Sequence, residues 1–469
     1  MQATAPAVDA PTLYEVVEEV VGERLTRGVE LGFHDAQVAA WDSTARIVAM
    51  IAGSQGGKTS FGPWWLAREV ETCGPGDYLA VTATYDLFKL RMLPEIRAVF
   101  EDVLGIARYW AGDQILELCL HTWDGTSWVP QRGEYLARKA SDPMWGRLIL
   151  RSASSPGGLE SATALAAWLD EAGQDEFSLS AWEAVRRRLA LSRGRILITT
   201  TPYNLGWLKQ QVYDRWLKGD KNIDVIQFAS ILNPAFSREE FEERRQEMDN
   251  WKFRMFYEGQ FERPAGLIYN AFIDAYKHEG GHKVRPFNVP AKWPRYVGID
   301  PGGANVAKVW LALDPVEDVL YLYREQLDGG KSTPEHVAEA KRIAQDNGER
   351  VVFYVVGQPS ESQQRRDWQA AGADNVIAPP VSDVESGIDT VISLLKQYRL
   401  FVFDTCTGTL DEFGTYQRKL DENGEVTDVI QHKERFHRLD ALRYAVVAVE
   451  RQPAGRVATA PSALTRRRR

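Results

Sequence analysis

From residue 41 onward, short apolar runs alternate with longer amphipathic stretches. The runs IVAMIAG (47–53), YLAVTAT (78–84), ALAAWLDE (164–171) and RILITTT (195–201) are almost continuously apolar and rich in strand-forming residues. Strands of that kind bury both faces, so the pattern predicts a mostly parallel sheet covered by helices. Ahead of it, 13–29 carries a partly helical apolar period, and the Ala/Pro-rich stretch 1–12 predicts disorder. The charged stretch 236–257 predicts helix. The first half therefore divides into an N-terminal extension (1–32) and an α/β domain (33–262) with a helical lid over about 205–258.

Residues 259–294 are rich in Gly, Pro, Lys and His and hold no period, which places a linker over 263–294. A second α/β pattern fills 295–450. A strand at 296–302 ends in a turn, and 309–315 and 319–327 form a hairpin or meander with it. There follow a helix (334–347), a strand (351–356), a helix (385–398), a strand (400–403) and a closing helix (437–450). The remainder, 451–469, predicts a disordered basic tail.

Composition narrows the class. With 469 residues, 44% hydrophobic and 26% charged, the chain is globular and not collagen-like. A net charge of -9 excludes a uniformly basic coat but allows a basic groove on an acidic body. Cys73, Cys119 and Cys406 lie far apart without a CxxC, which argues against a disulfide framework or cysteine zinc site and fits a reducing compartment. No apolar run reaches the roughly 18 residues needed to span a bilayer, and the N-terminus lacks the pattern of a secretory signal. The expectation is a soluble, intracellular protein. Its 15 tryptophans do not imply base stacking, because Trp41, Trp64, Trp65, Trp168 and Trp182 lie in apolar or amphipathic segments that predict core.

The strongest chemical signal is AGSQGGKTS (52–60), which follows a strand and precedes a helix. Ser54, Gln55, Gly56 and Gly57 allow the backbone to curl around phosphate oxygens, and the following helix adds its positive end. Lys58 can reach the β/γ-phosphates and Thr59 can bind Mg²⁺. The rival for this loop alone is a Gly-rich turn with an incidental lysine. The strand at 164–171 ends in Asp170, suited to support Mg²⁺, and Glu171, suited to orient or deprotonate water. The rival for that pair alone is a solvated acidic cap. Both signals in this order favour a nucleotide site. Thr199, Thr200 and Thr201 end a further strand and are candidate sensors of hydrolysis, although threonine is also an ordinary strand former.

Gln37, AGSQGGKT, LDE and TTTP, in this order, resemble the ATPase half of large terminase subunits, the DNA-packaging motors of tailed bacteriophages. The resemblance implies a P-loop NTPase of the RecA-like class, with Gln37 reading adenine and Thr199–Thr201 coupling hydrolysis to movement. Ala52 departs from the usual first glycine of the loop. The family also uses an arginine on the γ-phosphate, for which Arg147 and Arg151 are candidates.

YVGIDPGG and HRLDALRYAVV resemble the opening strand and closing helix of an RNase H-like nuclease, the family's second half. The resemblance assigns Asp300 and Asp440 to a two-metal site, where clustered carboxylates hold Mg²⁺ or Mn²⁺. Glu361 and Glu412 are further candidate ligands. The strand at 351–356 should end in another aspartate, yet the aligned position is Gly357. Three explanations stand: an aspartate removed by engineering, an acid supplied nearby by Glu361, or a naturally poor nuclease. The first is favoured, since V-G-Q-P shows no sequence reason for glycine.

The implied cofactors are ATP and Mg²⁺, with Mn²⁺ accepted at the nuclease site. The implied partners are double-stranded DNA, a portal protein, a small terminase subunit and further copies in a ring on the portal, with a monomer in isolation and no membrane. The implied location is the host cytoplasm and the procapsid portal vertex, not the mature virion. Candidate phosphate contacts are Arg186, Arg187, Arg188, Arg365 and Arg366, each with solvated surface as its rival. Arg466–Arg469 are candidates for DNA or portal docking. The alternatives are a P-loop helicase with a vestigial nuclease fold and a non-hydrolysing portal adaptor.

Overall fold

The computed structural model describes residues 14–21, 24–130, 141–154, 163–302, 304–421 and 425–451. The chain forms two units, Met1–Ala265 and Gly266–Arg469. The segment 1–12 and the run Arg466–Arg469 lie outside the described residues.

The first unit opens with a hairpin, β1 (Tyr14–Val21) and β2 (Arg24–Leu31), fully paired from Tyr14↔Leu31 to Val21↔Arg24. This replaces the partly helical segment expected over 13–29. Valines and a threonine recur in the two strands, and β-branched residues favour extended backbone. Tyr14 packs its ring 5.2 Å from that of Trp64.

The other strands of this unit are β3 (Ile47–Ala52), β4 (Gly76–Thr82), β5 (Ala107–Trp110), β6 (Ile115–Leu118), β7 (His121–Trp123), β8 (Trp128–Pro130), β9 (Gly146–Ser152), β10 (Ala166–Asp170), β11 (Arg195–Thr200) and β12 (Ile223–Phe228). The main sheet runs β12-β3-β11-β10-β4-β9-β6-β5. Its first six strands are parallel, and β6 and β5 continue it antiparallel. Both faces are covered. Met50, Ala80, Trp168 and Leu197 pack with Phe61, Trp65 and Leu66 of helix Lys58–Cys73. Ala49, Val81, Leu169 and Ile198 pack with Trp182 and Val185 of helix Leu179–Arg188. Trp64, Trp65, Trp168 and Trp182 are core residues, while Trp41 is half-buried beneath the Arg68 guanidinium, 4.2 Å from its ring centre.

Two departures concern 205–258. This segment is not an all-helical lid, because β12 pairs with β3 at the edge of the main sheet. The helix expected over 236–257 is two helices, Arg238–Glu247 and Asn250–Phe256, separated by extended backbone at Met248.

The second unit contains β13 (Lys283–Val284), β14 (Arg295–Asp300), β15 (Asn305–Asp314), β16 (Val319–Gly329), β17 (Val351–Val356), β18 (Val376–Ile377) and β19 (Leu400–Phe403), ordered β13-β19-β16-β15-β14-β17-β18. An antiparallel meander, β14-β15-β16, is flanked by parallel β17 and β19, the RNase H-like arrangement. Helix His437–Glu450 packs on β14, β15 and β17. Much of the expected linker belongs to this core: Ile268, Tyr269 and Phe272 are buried in it, and β13 extends the sheet. Among the described residues, no helix is long and apolar enough to cross a membrane.

Candidate functional site

Parallel pairing brings Ala52, Thr82, Asp170 and Thr200 to one edge of the first unit's sheet. The loop after Ala52 curls there, with Gln55 at φ 59° and Gly57 at φ 79°. Glycine meets that left-handed conformation without steric cost. The loop's carbonyls are braced from outside. Ser230 Oγ donates to Ser54 O (2.5 Å), Asn233 Nδ2 to Gln55 O (2.6 Å), and His34 Nε2 to Gly56 O (3.2 Å).

Gln37 joins this brace. Its Nε2 donates to Gly57 O at 3.0 Å, and its Oε1 accepts from His34 N at 3.2 Å. The side chain is buried, and each end of its amide is bonded to backbone.

Lys58 lies inside the loop, its ammonium donating to Ala52 O (3.0 Å), Gly53 O (2.5 Å) and Thr201 Oγ1 (3.1 Å). Burial pushes its pKa down to about 8, against the pull of Glu171 and Asp170. Thr59 Oγ1 is 3.3 Å from Asp170 Oδ2, and Thr199 Oγ1 donates to Asp170 Oδ1 at 2.7 Å. Trp168 Nε1 in turn donates to Thr199 Oγ1 at 2.8 Å, which fixes that hydroxyl. Burial, and then the charge of Glu171, push Asp170 upward. A cation placed between Asp170 and Thr59 would relieve that penalty, so oxygen ligand types and local charge fit Mg²⁺. Thr200 Oγ1 accepts from Gly173 N at 2.8 Å and donates to Thr201 O at 2.8 Å.

Glu171 sits at φ 53°, a strained conformation for a residue with a side chain, and its N–H donates to Thr199 O at 2.7 Å. Tyr203 OH donates to Glu171 Oε2 at 3.1 Å, and Arg91 approaches Oε1 to 4.0 Å. Neither Arg91 nor Tyr203 is signalled by local sequence; only tertiary packing brings them to the site. Arg147 is removed from it. It pairs with Asp77 at 2.8 and 2.6 Å, at the strand ends opposite Thr82. Arg151 donates to Leu150 O at 2.8 Å and Gln114 O at 3.4 Å.

In the second unit, Asp300 ends β14 and accepts from His437 Nδ1 at 2.7 Å. That hydrogen bond, followed by burial in the opposite sense, leaves the His437 pKa raised. Asp440, one turn along the same helix, is buried and paired with Arg443 at 2.5 Å. Burial pushes Asp440 upward, and the charge of Asp300 adds to it.

Gly357 N donates to Ile299 O at 2.9 Å, which sets residue 357 beside the end of β14. Its φ is +65°, and a β-carbon there would collide with Glu361 Oε2. The left-handed backbone gives glycine a reason at this position, and the flexible end of the Glu361 side chain, not backbone, fills the space beside it. Glu412 is engaged at the start of the closing helix. Its oxygens accept from Arg438 Nη1 (3.0 Å) and Leu439 N (2.9 Å), tying down the start of the closing helix. Arg365 is committed to the carbonyls of Val356, Gln358 and Pro359 and is no ready phosphate contact. Arg366 pairs with Gln363 and stays exposed. Arg186, Arg187 and Arg188 form the last turn of their helix, where cations complement the helix dipole.

Asp300, Asp440 and Glu361 offer oxygen ligands suited to a hard cation. Among the described residues, however, only Asp328, His336 and Glu339 bring three ligand atoms within 4.8 Å of one another.

Residues 49–273 match the family described as terminase large subunit, T4likevirus-type, N-terminal. No curated protein matches the chain. Similar solved structures include the large terminase of a thermophilic bacteriophage in complex with ADP, which is 18% identical, covers 90% of this chain and 100% of that one, and gives a TM-score of 0.42. The large terminase ATPase domain of Thermus phage P74-26 is 23% identical over 50% of this chain and 95% of that one, TM-score 0.41. The P22 large terminase nuclease domain is 23% identical over 40% of this chain and 93% of that one, TM-score 0.31. Residues 49–273 thus correspond to the N-terminal part of a terminase large subunit.

Proposed function

We propose that the first unit hydrolyses ATP to drive double-stranded DNA into a procapsid, and that the second unit is a divalent-metal endonuclease that cuts concatemeric DNA. One observation carries the motor reading: the P-loop, β10 and β11 meet through Lys58–Thr201 and Thr59–Asp170–Thr199 contacts. Those are the contacts a device needs if occupancy of a phosphate site is to be felt by a strand.

In this reading, Lys58 and the loop N–H groups hold the β/γ-phosphates. Thr59 and Asp170 would hold Mg²⁺, which neutralises charge on the phosphate oxygens. Glu171, steadied by Tyr203, orients the attacking water and takes its proton. Arg91 is the arginine of this chain placed to turn from Glu171 to the γ-phosphate. When Lys58 engages phosphate it leaves Thr201, so the end of β11 registers the nucleotide state. A neighbouring subunit can add a further arginine, which makes isolated monomers weak ATPases and a ring on the portal, assembled with the small subunit, the active form. Work of this kind belongs in the host cytoplasm and at the portal vertex, outside the mature virion.

In the second unit, Asp300, Asp440 and Glu361 would hold Mg²⁺ or Mn²⁺, which supplies an activated water and stabilises the leaving oxygen. His437 fixes the orientation of Asp300. The motor reading is tested by packaging: with procapsids, portal and small subunit, ATP should render DNA resistant to nuclease, and Lys58→Ala should abolish that protection. Protection without ATP, or undiminished by Lys58→Ala, contradicts it.

A further inference from the structure

A cavity of about 330 Å³ lies beside Asp300 in the second unit. Its wall includes Pro301 and Gly302 after β14, Lys331 and Thr333 at the start of helix Thr333–Asp346, and His336 and Trp368. Next to it, Asp328, His336 and Glu339 have the composition of a metal site. A cation is already built in. Lys308, fully buried, places its ammonium 2.8 Å from Glu339 Oε2, 3.3 Å from His336 Nδ1 and 3.4 Å from Asp328 Oδ2.

This arrangement fixes the histidine. An ammonium donates and cannot accept, so His336 Nδ1 is the acceptor and the ring hydrogen sits on Nε2. His336 is 2% exposed, and its Nε2 has no partner among the described residues. A buried N–H left unmatched loses the hydrogen bond it makes in water, so the site calls for an acceptor. The nearby acids are largely engaged: Lys308 and Lys331 both pair with Asp328 and Glu339, and Asp367 Oδ1 accepts from Gln363 at 2.7 Å. The start of the adjoining helix is already capped by Glu335, whose carboxylate accepts from Ser332 N at 2.7 Å.

We propose that this cavity takes a phosphodiester group of the DNA strand engaged at Asp300, with His336 Nε2–H as its buried donor and Lys331 at its rim. The proposal rests on the nuclease reading and names a substrate subsite for it.

The test is binding of a labelled 20-base-pair duplex to the full chain in EDTA, across a salt series. His336→Ala should weaken binding about ten- to a hundredfold at one salt concentration, the size expected for one lost hydrogen bond to a charged group. Lys331→Ala should also lower the slope of log K against log salt by about one. His336→Gln can accept from Lys308 and donate onward, and should restore binding, which separates a site effect from misfolding. Inorganic phosphate should compete with duplex for the parent chain but not for His336→Ala. Equal duplex binding by parent and His336→Ala, or a His336-dependent divalent-ion site seen by calorimetry without DNA, overturns the proposal. The nuclease reading fails by a different result: Mn²⁺ binding and cleavage unchanged in Asp300→Asn.

Discussion

The Glu361 carboxylate stands in the space that a side chain on Gly357 would need, and Gln358 N donates to it at 2.5 Å. Residue 357 is held at φ +65°, beside the last pairing of β17 with β14. Gly357→Asp should therefore lower stability by about 1–3 kcal/mol, the range for a non-glycine residue in a strained conformation. Thermal melting checks it. An unchanged melt together with tighter Mn²⁺ binding would point to a lost aspartate at this position.

Glu361 and Glu412 should separate cleanly. Glu361→Gln should weaken Mn²⁺ binding in calorimetry and leave the fold intact. Glu412→Ala removes the acceptor for Leu439 N and Arg438, and should cost about 1–3 kcal/mol while retaining Mn²⁺ affinity. The reverse assignment of the two effects would contradict the site as built here.

Lys58 gives a pH signature. Burial lowers its pKa to about 8, while phosphate favours the ammonium form. ATP binding must then take up a proton above that pH. Affinity should be flat below about pH 8 and fall by up to about tenfold per unit above it. A fluorescent ATP analogue titrated between about pH 6.5 and 9.5 reads this directly. Constant affinity to the top of that range would mean that Lys58 stays fully charged.

Arg91→Ala should lower the turnover of ATP about 10²-fold with little change in binding, as for loss of a donor to developing charge. Arg147→Ala should leave turnover alone and change stability by less than about 1 kcal/mol, since its pair with Asp77 is partly exposed. Steady-state ATPase kinetics on both variants decide between them.

Features written in contiguous residues were legible from the sequence. The P-loop is one such feature, because strand, small residues, lysine and helix follow one another. The strand-terminal Asp170 and Thr199 were legible for the same reason. Features made by distant contacts were not. Arg91 and Tyr203 reach Glu171 only through packing. Gln37 and Glu412 have the right chemistry for ligand contacts but spend it on backbone N–H and C=O groups that would otherwise be buried unmatched. The left-handed turn at Gly357 depends on β14, helix Ser362–Ala370 and the Arg365 clamp, none of which V-G-Q-P announces. In 14–31, a loose helical period concealed a valine-rich hairpin, and β-propensity with complete cross-strand pairing prevailed.

Glu171 is proposed to activate water for hydrolysis of an ATP held by Lys58, Thr59 and Asp170. The most direct test is Mg²⁺-dependent ATP hydrolysis by Glu171→Gln beside the parent chain, with nucleotide binding measured on the same samples. Turnover should fall by about 10²–10⁴-fold with binding retained. Unchanged turnover in Glu171→Gln would contradict the assignment.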